Sequence, residues 1–157
     1  MKAHSQNQYS LLIKLTIILL FVQSIPLPTY LSLISPIWPL IFLSYWLINS
    51  AKNFQFFVAL FIGVLIDVIS GDILGQNALA LVLSSSFIIK IKRHILLEDF
   101  FIQLAHILIA SIIYLSVISI VNFFTHFNTP SWWLVFIPIT TTLFWVVADF
   151  LFKKFFR

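Results

Sequence analysis

Gly63-Val-Leu-Ile-Asp67-Val-Ile-Ser-Gly71-Asp-Ile-Leu-Gly75 holds every glycine of the chain. The glycines fall on a four-residue step that Asp67 shares and that Ala59 extends backwards. On a helix such a row lies along one face. It makes a smooth strip of backbone carrying one carboxylate, inside an otherwise bulky and apolar sequence. Close approach of another backbone is the physical use of such a strip.

Working outward, the surroundings decide the class. The chain has 157 residues, of which 61% are hydrophobic and 9% charged, with a mean hydropathy of +1.08. A soluble domain carries roughly 25% charged residues. The composition therefore reads as an all-α polytopic membrane protein, a single integral membrane domain over 1–157. A spanning helix needs about 20 apolar residues. Six segments fit: Tyr9–Leu27, Pro36–Ile48, Phe54–Ser70, Asn77–Ile91, Phe100–Phe124 and Trp132–Phe152. The second is short and reaches 29–48 if Thr29–Ser35 joins it. The fourth starts at 76 if the Gly71–Gly75 turn contributes. Pro138, inside the sixth, is expected to kink it. The first segment has no small-x-small cleavage site after it and reads as a retained helix.

Charge placement orients the segments. Lys2, Lys14, Lys52, Lys90, Lys92, Arg93, Lys153, Lys154 and Arg157 all flank alternate connections, while 27–35, 71–76 and 125–131 hold no Lys or Arg. The positive-inside rule then puts both termini in the cytoplasm. Trp38, Trp132 and Trp133 fall near the opposite interface, as an aromatic belt does. The basic residues read as topology and anionic-lipid contact, not as a nucleic-acid surface.

At 1.5 Å per residue, Asp67 lies about 20 Å into a core of about 30 Å. A charge at the bilayer centre costs roughly 2.5–3.5 kcal/mol, so Asp67 should face protein or water. Three roles stand open for it: accepting backbone N–H groups in the Ser70–Gly75 turn, contacting a partner or ligand, or handling a proton or ion. Asp72 is five residues on and does not share its helical face. In the fifth segment Gln103, His106, Ala110 and Tyr114 share a face expected to point into the bundle. Asn77, Ala80 and Ser84 form a small polar face on the fourth, suited to packing. Asp149 and Lys153 are spaced for an ion pair, and Thr140–Thr142 for repairing kinked backbone beside Pro138.

No H-E-x-x-H, G-x-S-x-G or phosphate-binding loop occurs, there is no cysteine, and no second histidine stands at metal-ligand spacing. No catalytic residue, metal site or cofactor is expected.

The order Pro36-Ile37-Trp38, Tyr45-Trp46, Gly63-x-x-x-Asp67-x-x-Ser70-Gly71, Leu74-Gly75-x-x-Ala78-Leu79 resembles the rod shape-determining protein MreD family. The resemblance is clearest over about 35–80. Ile37 stands where relatives often carry Asp, and Phe56 and Ala59 where they often carry glycine. It implies a non-enzymatic subunit of the bacterial inner (plasma) membrane that works in cell-wall elongation, cell shape and peptidoglycan synthesis. The implied partners are MreC directly, and MreB, RodA and its penicillin-binding transpeptidase within the complex. It also implies a fold similar to the six-helix substrate-binding subunits of vitamin transporters. Gly63, Asp67, Gly71, Gly75 and Trp38 are then the residues for partner contact. Capture of a small molecule as a transporter subunit is the alternative. The Ala-x-x-x-Ala docking face usual in such subunits is missing here.

Overall fold

The computed structural model describes the backbone of residues 12–19, 21–22, 35–49, 54–97, 100–126 and 132–155, and the same side chains except 93–97, 126, 132–133 and 152–155. Among them the chain is all-helical. Residues 12–19 form α1, followed by α2 (Trp38–Asn49), α3 (Gln55–Ser70), α4 (Gln76–Leu97), α5 (Phe100–His126) and α6 (Phe136–Phe155). A 3-10 turn, Trp132–Val135, precedes α6.

From α3 onward, each helix packs on the next in sequence. The α3–α4 and α4–α5 pairs share the most extensive contacts, and α5 packs on α6. The centre belongs to α2, which touches α3, α4 and α6. Every residue from Pro39 to Leu47 is buried. A helix apolar all round is one enclosed on all sides. Against it stand Leu15 and Leu19 of α1, Ala59, Ile62 and Ile66 of α3, Leu81 and Ile88 of α4, and Ala110 and Tyr114 of α5, in one core. Ile41, Ile107 and Trp145 form a smaller cluster between α2, α5 and α6.

Several boundaries differ from the hydropathy reading. α2 begins at Trp38, so Ser35 to Ile37 stay outside it. Pro36 and Pro39 supply no N–H, and the first helical bond runs from Ile41 N–H to the Ile37 carbonyl. α4 continues to Leu97, six residues past its apolar part. Lys and Arg are good helix formers, so loss of hydropathy at Lys90–Arg93 is no helix stop. The expected kink at Pro138 is corrected: α6 starts at Phe136, which places the proline in the first turn, where a missing N–H breaks no bond. The suggested starts at Tyr9 and Thr29, Lys52, the side chains of Trp132 and Trp133, and that of Lys153, Asp149's suggested partner, lie outside the described residues.

Among the described residues one helix, Phe100–Thr125, is long and apolar enough to cross a bilayer by itself, with 26 residues and an 18-residue window of mean hydropathy 2.4. Gln55–Ser70 and Phe136–Leu151 are shorter apolar helices.

Candidate functional site

The glycine row folds into a hairpin of α3 and α4, and Asp67 is its hinge pin. α3 ends where Gly71 takes the left-handed conformation at φ 69°. An L side chain would be strained there, whereas glycine is not. The N–H groups of Gly71 and Asp72 both turn back to the main-chain carbonyl of Asp67. Gly75, at φ 96°, opens α4, because its carbonyl accepts the first helical bond from Leu79 N–H at 2.8 Å.

A glycine at the head of a helix has no side chain with which to cap it. The side chain of Asp67 reaches across and does so. Its Oδ2 accepts from Gly75 N–H at 2.8 Å and Ala78 N–H at 3.4 Å, and its Oδ1 from Asn77 N–H at 2.8 Å. Three donors that a helix start leaves without partners are thus satisfied from the preceding helix. The negative charge also meets the positive end of the α4 dipole. Asp67 is only 1% exposed, and these bonds compensate the burial of its charge.

Gly63 lies one turn deeper, where the two helices touch. A Cβ there would stand 2.2 Å from Ala78 Cα and 2.7 Å from Ala78 N. The backbone that approaches Gly63 is therefore this chain's own α4. The same geometry seats Asp67, one turn on, against the N–H groups of α4. A Cβ at Gly71 or Gly75 would meet nothing within 4 Å, so these two are glycines for backbone conformation, not for close packing. Around them Val68, Ile69 and Leu74 are exposed. The row thus has a packed inner half and an open outer tip.

Asn77 joins this hairpin to α5. Its Nδ2 donates to Asp72 Oδ2 at 3.2 Å, and its Oδ1 accepts from the Tyr114 hydroxyl. Asp67 and Asp72, which share no helical face, therefore meet at one residue. Tyr114 and Asn77 are both buried. His106, two turns earlier on α5, lies instead beside Phe87, ring centroids 6.5 Å apart. Gln103 is half-buried nearly a turn before it. The shared face of α5 thus divides, its outer part bonded into the hairpin and its inner part against α4. Ala80 and Ser84 are fully buried, with Ser84 Oγ donating to the Ala80 carbonyl at 2.8 Å. Trp38 is half-buried and packs edge-on against Phe144 of α6 at 5.4 Å.

Polar links elsewhere carry little mark in the sequence. Thr141 Oγ1 accepts from Ile37 N–H at 3.0 Å while donating to the Ile137 carbonyl at 2.7 Å. It thereby caps α2 from α6. One turn on, Trp145 Nε1 donates to Ser44 Oγ at 3.1 Å. At the other end of α2, the Leu47 carbonyl accepts from Lys92 Nζ at 2.7 Å and Gln55 Nε2 at 3.2 Å. A cation on the final carbonyls complements the dipole of α2. The only sequence signal for any of these was the threonine cluster beside Pro138.

This hairpin lies within the segment on which the family resemblance rests, and a family model described as rod shape-determining protein MreD matches residues 3–155. The chain belongs to the MreD family. No curated protein and no solved structure matches it. MreD membership makes it a membrane-associated protein with a role in rod-shape determination. Gly63, Asp67, Gly71 and Gly75 are, in this MreD chain, the parts of one helical hairpin.

Proposed function

We propose that the chain is a six-span, non-enzymatic subunit of the bacterial inner membrane. It binds MreC and, with MreB, RodA and the associated transpeptidase, supports peptidoglycan synthesis along the cell wall. Family membership supports the role in cell shape. The absence of Lys and Arg from 27–35, 71–76 and 125–131 supports six spans with both termini cytoplasmic. So do the packing of α3 on α4, α4 on α5 and α5 on α6 and the apolar outer surface. Phe101 is 80% and Phe124 73% exposed at the two ends of α5. Soluble monomers rarely expose apolar surface on this scale.

The observation that carries the partner reading is the division of the hairpin. Gly63 and Asp67 are consumed by packing and capping inside the chain, so they act on a partner through the shape they impose. The surface they hold out is the tip, where Val68, Ile69 and Leu74 surround the two left-handed glycines. MreC is expected to lay an apolar segment against this tip at the periplasmic interface. The mechanism is packing rather than chemistry.

Pull-down of the full chain from native membranes tests this reading. Wild type should recover MreC, and Leu74→Glu should lose it by tenfold or more while still inserting. Leu74 is 73% exposed, so its replacement leaves the hairpin intact. Undiminished recovery with Leu74→Glu would move the contact away from the tip. Recovery of an ATPase module in place of MreC would favour a transporter subunit.

A further inference from the structure

The tip of the α3–α4 hairpin has little packing to hold it. Gly71, Asp72 and Leu74 are exposed, and a Cβ at Gly71 or Gly75 would meet nothing within 4 Å. Glycine is also the residue with the most alternative backbone conformations. The backbone bonds of the tip are local: Asp72 N–H to the Asp67 carbonyl at 3.2 Å, and Gln76 N–H to the Ile73 carbonyl at 3.0 Å. The Asp67 carboxylate secures Gly75, Asn77 and Ala78, the α4 end of the turn. Residues 72–74 need a different anchor.

Asp72 supplies it, held from a third helix. Asn77 Nδ2 donates to Asp72 Oδ2 at 3.2 Å, and Asn77 Oδ1 accepts from the Tyr114 hydroxyl of α5. Chemistry forces this order. A carboxylate accepts and does not donate, so Asn77 must present its NH2 group to Asp72. Its amide oxygen then faces Tyr114, whose hydroxyl must donate. Without that hydroxyl a buried amide oxygen would lose its donor. Turning the amide over would set oxygen against carboxylate. Tyr114 therefore fixes which side of Asn77 the tip meets. The tyrosine ring lies in the main apolar core, so the far end of this relay stands on the packed part of the bundle. Tyr114 and Asn77 are both buried, out of reach of a partner.

We propose that Tyr114 and Asn77 are positioning residues for the partner contact. They do not touch the partner; they pin Asp72, and with it the exposed tip, in the arrangement that receives an apolar segment. The inference rests on the tip reading given above. A tip released from the relay samples other arrangements, and apparent affinity falls with the fraction that stays competent.

A double-mutant cycle on the affinity of the full chain for MreC, in mild detergent, tests the relay. Tyr114→Phe keeps the ring and removes the hydroxyl. It should weaken binding about fivefold, the factor carried by the net contribution of one hydrogen bond. Asp72→Ala breaks the other end and should weaken binding at least as much. Losses along one network do not add, so the double variant should bind no worse than Asp72→Ala alone. Asp72→Asn retains an acceptor for Asn77 and should bind like wild type. Amide exchange separates positioning from general loosening. In Tyr114→Phe it should rise at Asp72 and Gln76 and stay at wild-type rates at Gly75 and Ala78, which Asp67 holds. Full affinity in Tyr114→Phe, additive losses in the double variant, or equal losses in Asp72→Asn and Asp72→Ala would each overturn the inference. The Asp72 variants alter an exposed position and keep it falsifiable where Tyr114→Phe fails to fold. Leu74→Glu separates the two failures. If it leaves binding intact, the tip reading falls and the relay's role with it; if it abolishes binding while Tyr114→Phe does nothing, the relay's role falls alone.

Discussion

Asp67 uses both of its ends. Its carbonyl collects the N–H groups that close α3, and its carboxylate collects those that open α4. The turn-capping role was one of three readings that the sequence allowed. What no spacing showed is that Gly63 and Asp67 are coupled. The carboxylate reaches the α4 N–H groups because α3 and α4 cross in contact at Gly63 and Ala78. A methyl group at Gly63 would stand against backbone rather than a movable side chain. Gly63→Ala is therefore expected to lower stability by about 1–3 kcal/mol, the usual cost of overpacking, as measured by thermal unfolding in mild detergent. Spacing does not mark Ala78 for this contact, because Gly63 is fifteen residues away in sequence.

At the scale of elements, the apolar runs made all six helices legible, since each is a stretch of hydrocarbon long enough to bury. Their ends were less so. Hydropathy ends α4 at Ile91, yet lysine and arginine continue the helix to Leu97. Pro138 lies inside the apolar run from Trp132, yet the α-helix proper starts at Phe136, which makes the proline a first-turn residue. The links that fix α2 against α6 were invisible, because Thr141 and Ile37 stand 104 positions apart. Thr141→Val keeps the shape of the side chain and removes its oxygen. It leaves the buried Ile37 N–H without an acceptor, at a cost of about 1–3 kcal/mol. Thermal unfolding should show that loss. Thr140→Val, whose hydroxyl bonds only to the Ile137 carbonyl of its own helix, should cost less.

For the whole molecule, the proposed six-span arrangement rests on charge placement in the sequence, and the structure adds how the bundle is held. The two polar clusters lie toward opposite ends: Asp67, Asp72, Asn77 and Tyr114 around the α3–α4 turn, Lys92, Gln55 and the Leu47 carbonyl at the far end of α2. The first should be periplasmic and the second cytoplasmic. Reporter fusions at Asp72 and at the C-terminus should accordingly report opposite compartments; matching signals would remove the six-span arrangement. On the proposed reading, partner contact belongs to the tip of the hairpin, and Gly63 and Asp67 act by building the hairpin that holds it out. Amide hydrogen exchange in Asp67→Asn, read at Gly75, Asn77 and Ala78 in the full chain, tests that division most directly. An asparagine keeps the size of the side chain but forfeits its charge and one acceptor. Exchange at those three amides should rise at least tenfold over wild type, with the amides at the middle of α4 unchanged. Exchange at wild-type rates, together with loss of MreC, would show that the carboxylate reads the partner and that capping α4 is not its task.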